Sequence, residues 1–177
     1  MKFILTQLIG AIAFFTLAGS YYKKEKKKIL FMHIIAYIMF TIHYYLLSGL
    51  TGTICNVIGL LALLSIYVIE KYNWKNKNLI ACIFIILIFI INIATFQNIF
   101  SIFPIIASTI VIVSFLMDNE DYIRGIGLIS AVCWLIYAIA YKSYISIVFE
   151  TLTLIGTLVA FAKNTTNPEF KIKNNKE

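Results

Sequence analysis

Charge is what this sequence has least of. Only 13% of its residues are charged, against about 25% in ordinary soluble domains, and eight of its 177 residues are Asp or Glu. With 61% of the chain hydrophobic, a water-soluble fold is excluded. Cysteine is scarce as well: Cys55, Cys82 and Cys133 stand far apart inside apolar stretches, without metal-ligand spacing, and read as small apolar packing residues. No metal and no cofactor is expected. The sequence contains no His-Glu-x-x-His, no carboxylate pair and no Ser/His/Asp constellation, so an enzyme is not expected either. Period-two alternation is missing too, which argues against a membrane β-barrel and leaves helices as the way to satisfy a backbone in lipid.

What is present is a set of long uncharged runs. Residues 3–22, 29–69 and 78–117 carry no Asp, Glu, Lys or Arg. About 20 helical residues cross a bilayer core of about 30 Å, so these runs hold one, two and two crossings. Apolar stretches at 125–141 and 144–162, divided by Lys142 and Ser143, raise the total to seven. The expected spans are 3–22, 29–47, 51–69, 79–95, 99–117, 125–141 and 144–162. A cleaved signal peptide is disfavoured for the first, since one Lys precedes it and five follow in Lys23-Lys24-Glu25-Lys26-Lys27-Lys28.

The basic residues then set orientation. In this threading 13 of the 15 Lys and Arg fall on one side, leaving Lys2 and Lys142 on the other. Cytoplasmic loops carry that excess, so the N-terminus is expected outside and the C-terminus in the cytoplasm. The net charge of +7 therefore calls for a lipid bilayer as partner, with anionic lipid as the sharper option, and for no nucleic acid. The tail from Lys163 to Glu177 is polar, and its Asn164-Thr165-Thr166 sequon carries no meaning on the cytoplasmic side.

Sliding the chain against itself by 94 residues aligns the second span with the sixth and the third with the seventh without a gap. Identities are few, but rare residues coincide: Phe40 falls on Trp134, His43 on Tyr137, Asn56 on Glu150, Gln7 on Ser101 and Gly10 on Pro104. Three helices leave on the side opposite to their entry, so a second copy in the same orientation needs one extra crossing. The fourth span would be that connector, facing lipid with only Cys82, Asn92 and Thr95 to interrupt it. The expected fold is all-α, with seven membrane helices in a 3+1+3 plan. Residues 1–70 and 99–162 form two parallel three-helix bundles, 71–98 the linker helix and 163–177 the tail.

That layout resembles the SWEET, SemiSWEET and PQ-loop superfamily. The resemblance implies an alternating-access pocket lined by a polar residue on the third helix of each bundle and an aromatic residue on the second: Asn56 with Glu150, and Phe40 with Trp134. This chain departs from it in having one membrane proline and no Pro-Gln pair. Nearly the whole chain resembles the YgjV-like bacterial inner-membrane proteins. The matching features are Gln7-Leu8-Ile9-Gly10, Ile42-His43-Tyr44-Tyr45-Leu46-Leu47, Asn56, Pro104, Cys133-Trp134-Leu135-Ile136 and Glu150. The resemblance implies a bacterial inner-membrane location.

Glu150 is the only acidic residue inside a span, and a carboxylate at membrane depth needs a polar cavity or a partner. At 100° per residue, Ser146, Glu150, Thr153 and Thr157 share one helical face, either lining a cavity or forming a hydrogen-bonded seam between helices. His43 and Asn56 lie at equal distances from one hairpin tip, and Tyr137 and Glu150 from the other, all roughly 10 Å below the outer boundary. The expected substrate site is therefore Asn56, Glu150, Trp134, Phe40, His43 and Tyr137, with Glu150 and His43 as candidates for proton coupling. Gln7, Ser108, Ser146, Thr153 and Thr157 are further candidate lining residues, and Pro104 a candidate hinge. Ser101 and Ser108 share a face, as lining or as close-packing residues, and His33 reads as interfacial. These features point to a transporter of a small polar or cationic molecule, or else a receptor, sensor or assembly factor on the same scaffold. A homo-oligomer stays open.

Overall fold

The computed structural model describes the backbone of residues 2–20, 23, 25–72, 77–117 and 120–166, and the side chains of 3–20, 23, 25–72, 77–117 and 125–155. Among these residues there are seven α-helices and no strand. They are α1 (Lys2–Ser20), α2 (Lys26–Leu46), α3 (Leu50–Tyr72), α4 (Lys77–Ala94), α5 (Ile102–Ser114), α6 (Glu120–Ala140) and α7 (Tyr144–Thr166). The tail expected from Lys163 onward has its side chains outside the described residues, as does Arg124.

The first four helices contain windows long and apolar enough to cross a membrane. The described apolar stretches of the last three are shorter, Ile99–Ser114, Gly125–Ala140 and Tyr144–Ile155. The fifth segment departs most from its expected 99–117. Asn98 caps a single 3-10 turn, Ile99–Ser101, by accepting from the Phe100 N–H, and the Ser101 hydroxyl accepts from the Asn98 N–H in return. The α-helix proper runs only from Ile102 to Ser114.

Polarity is arranged inside out relative to a protein in water. His43, Thr51, Asn56, Asn92, Ser101, Ser108, Ser143, Ser146 and Glu150 are buried. Large apolar side chains such as Phe15, Phe31, Leu61, Ile90 and Ile93 are exposed. Burying the polar groups lets helices hydrogen-bond one another where no water is available. The α4 window is 17% buried against 50% for α3, so α4 lies on the outside of the assembly. It touches α3 and α5 through Ala81, Ile88 and Asn92. Cys82 is exposed on its outer face, unlike Cys55 and Cys133, because only one face of α4 meets protein.

Packing links α1 with α2, α2 with α3, α5 with α6 and α6 with α7, while α3 meets α5 and α1 meets α7. The two helical hairpins close with the same hydrogen bonds. Gly49 N–H donates to Tyr44 O and Ser48 N–H to Tyr45 O; 94 residues on, Ser143 N–H donates to Ala138 O and Lys142 N–H to Ile139 O. Each turn is a Schellman cap whose left-handed residue is not glycine: Ser48 has φ 61° and Lys142 φ 52°.

Candidate functional site

One cavity of about 70 Å³ lies where α1, α2, α3, α5, α6 and α7 converge. Its lining is built from corresponding positions 94 residues apart: Leu17 with Val111, His33 with Gly127, Tyr37 with Ala131, Phe40 with Trp134, and Asn56 with Glu150. Tyr44, Ser130 and Thr153 complete it. On α2 the spacing His33, Tyr37, Phe40, Tyr44 follows the helical repeat and turns one aromatic stripe inward. On α6 the matching stripe is small, Gly127, Ser130 and Ala131, apart from Trp134. The cavity occupies the room those small residues leave.

Two of its polar groups, the Asn56 carboxamide oxygen and the Glu150 carboxylate, accept no hydrogen bond from the described residues. The Asn56 amide nitrogen donates to Gly52 O at 2.8 Å, and no described residue donates to its carboxamide oxygen. Glu150 is 7% exposed, and no hydrogen bond or ion pair reaches its carboxylate. The Tyr44 and Trp134 rings stack at 5.4 Å. Among the described residues the lining holds no Lys or Arg.

Toward the hairpin tips the helices are tied shut. The Gly52 N–H donates to Tyr137 Oη at 2.9 Å. At the corresponding place, His43 Nε2 lies 2.7 Å from Ser143 Oγ and 3.4 Å from Ser146 Oγ. The Thr6 carbonyl can only accept, so His43 Nδ1, 2.8 Å away, carries the ring hydrogen and Nε2 faces the serine hydroxyls as acceptor in the neutral ring. A second corresponding pair joins α3 to the turn before α5 and α7 to α1: Thr51 Oγ1 donates to Ser101 Oγ at 2.9 Å, and Ile145 N–H to Gln7 Oε1 at 3.1 Å. Tyr44, Tyr137 and Tyr141 pack ring to ring in the same layer.

Of the residues singled out from sequence, the cavity brings together Asn56, Glu150, Trp134, Phe40 and Thr153. His43 and Tyr137 do not join them, because both are spent on hydrogen bonds in the layer above. Gln7 and Ser146 are held in that layer too. Ser101 caps the 3-10 turn, and Ser108 is buried on α5 away from the lining. The Thr157 side chain lies outside the described residues. Pro104 occupies the first turn of α5, directly after the 3-10 turn, where its missing N–H breaks no α-helical hydrogen bond. His33 is not interfacial: it lines the cavity, with Nδ1 2.9 Å from Ile29 O and its ring edge-on to Phe115. Tyr37, Tyr44 and Ser130 complete the polar lining that sequence reading passed over. The spacing of 33, 37, 40 and 44 on one helical face was the signal that could have found the tyrosines.

An all-helical chain with an apolar exterior, polar groups turned inward and several helices long enough to cross a bilayer is an integral membrane protein. Residues 4–167 match the family model described as Imp-YgjV, bacterial inner membrane protein, and the chain belongs to that family. No curated protein and no solved structure matches it.

Proposed function

We propose that this protein is a transporter that carries a small polar or cationic molecule across the bacterial inner membrane by alternating access through the central cavity. In this reading α1–α3 and α5–α7 are two three-helix bundles of like orientation, α4 is their link, and the N-terminus faces outward. The observation that carries the proposal is that Asn56 and Glu150, corresponding residues of the two halves, meet in one cavity. Shared hairpin caps and exchanged cross-contacts 94 residues apart support the pseudo-symmetry. Every hydrogen bond just described between α1–α3 and the chain from Asn98 onward lies at the hairpin-tip end. The cavity extends instead toward His33 and the lysine-rich start of α2, as in a carrier sealed at one face. Glu150 supplies a proton-linked step by exchanging a proton for substrate. Lipid and the transported solute are the partners of this reading, and no catalytic step belongs to it.

The test is reconstitution. Proteoliposomes holding the protein should show saturable solute flux that Glu150→Gln makes independent of pH. Tight binding with no flux would replace the carrier by a sensor on the same scaffold.

A further inference from the structure

The lining of the cavity restricts what can occupy it. A carboxylate buried at membrane depth requires a counter-charge or a proton, and Glu150 has no hydrogen-bond or ion-pair partner among the described residues. Four aromatic rings, those of Tyr37, Phe40, Tyr44 and Trp134, share the space with it. Aromatic rings attract cations through their quadrupole, most strongly where water is excluded. With no Lys or Arg in the described lining, an anion would meet the Glu150 carboxylate with no fixed positive charge to offset it. A neutral polyol would supply no counter-charge and would leave the carboxyl to be compensated by a proton. The cavity's 70 Å³ suits a solute of a few heavy atoms.

Resting on the reading of this cavity as the transport site, we propose that its ligand is a small alkylated ammonium ion, with Glu150 as counter-charge, the Asn56 carboxamide oxygen as a second acceptor and the aromatic rings around the alkyl groups. Protons compete for the same carboxylate oxygens, so affinity falls as pH falls. His33 is the one other basic side chain in the described lining, and a charge on it would act in the same direction; Tyr37 and Tyr44 are the remaining titratable groups there.

The experiment uses the full chain in nanodiscs with Trp74→Phe, which leaves Trp134 as the single tryptophan. Methylammonium and tetramethylammonium chloride are titrated against its fluorescence, with sodium chloride at equal ionic strength and tert-butanol as controls. At least one ammonium ion should give a saturable change. Affinity should be about tenfold weaker in Glu150→Gln, severalfold weaker in Phe40→Leu, and weaker near pH 5 than near pH 8. Thermal unfolding of each variant checks its fold, and Phe40→Leu decides the matter if Glu150→Gln does not fold. No saturable response to either ion, equal binding of tert-butanol, or unchanged affinity in the folded Glu150→Gln variant would overturn the cation. Transport is judged separately: Ser130→Cys in a cysteine-free chain, labelled by an impermeant thiol reagent from both membrane faces, keeps alternating access standing even where the ammonium ion fails. Labelling from one face alone counts against the carrier whatever binds.

Discussion

The chain up to Tyr72 and the chain from Ile99 onward put corresponding residues against one cavity, but with opposite bulk. On α2 the lining is His33, Tyr37, Phe40 and Tyr44; on α6 the matching positions are Gly127, Ala131, Trp134 and Ala138, the last of them buried outside the lining. The polar partners differ in the same way, a neutral amide at Asn56 and a carboxylate at Glu150. Backbone features are kept far more closely: both hairpins end in the same cap, though Leu47-Ser48-Gly49 and Tyr141-Lys142-Ser143 share no residue at matching places. Backbone closure therefore coincides 94 residues apart where side chains do not, because packing constrains where helices run more tightly than which side chains fill the space between them. The lining is accordingly bulky on α2 and small on α6.

The largest effect is expected from reversing that bulk. Ala131→Tyr should fill the cavity and abolish ligand binding, while combining it with Tyr37→Ala moves one ring across the cavity at constant volume and should restore binding to within about tenfold, as measured by the tryptophan titration. A double variant as inert as the single one would mean that the two sides are not interchangeable in shape.

Next comes the exchanged contact. A Cβ on Gly52 would sit 2.5 Å from Tyr137 Cε1, so Gly52→Val should cost about 2–3 kcal/mol in thermal unfolding. At the corresponding position Ser146→Ala removes hydroxyl contacts to His43 and Ser143 without a clash and should cost about 1 kcal/mol. Equal losses would contradict the unequal packing of the two crossings.

The smallest effect tests a feature that only one half has. Lys26 Nζ lies 2.9 Å from Glu70 Oε1, and the positions 94 residues on are Glu120 and Asn164, which cannot form that pair. Glu70→Gln should therefore cost no more than about 1 kcal/mol in unfolding, the pair being partly exposed.

Reading the sequence located the helices because charge decides where a chain leaves lipid: α1 to α4 begin or end within a few residues of the charged clusters. It was least exact at α5, whose start no charge marks: Asn98 and Ser101 form a cap that hydropathy does not register, and the α-helix stops at Ser114, short of Asp118. Rarity in an apolar background singled out Asn56 and Glu150, the 94-residue correspondence added Phe40 and Trp134, and all four line one cavity. Equal depth misled in the case of His43 and Tyr137. Depth follows from counting residues along a helix, whereas the direction a side chain takes depends on how that helix is rotated against its neighbours.

The sequence by itself determined that this chain is a membrane protein and where most of its helices fall, since both follow from the cost of placing charge or open backbone in hydrocarbon. Only the tertiary structure decided that His43 and Tyr137 fasten the helices together, while His33, Tyr37 and Tyr44 line one cavity with Glu150. Those assignments depend on contacts between residues as far apart as 100 positions, such as His43 with Ser143, and no local pattern encodes which of several buried polar groups will meet.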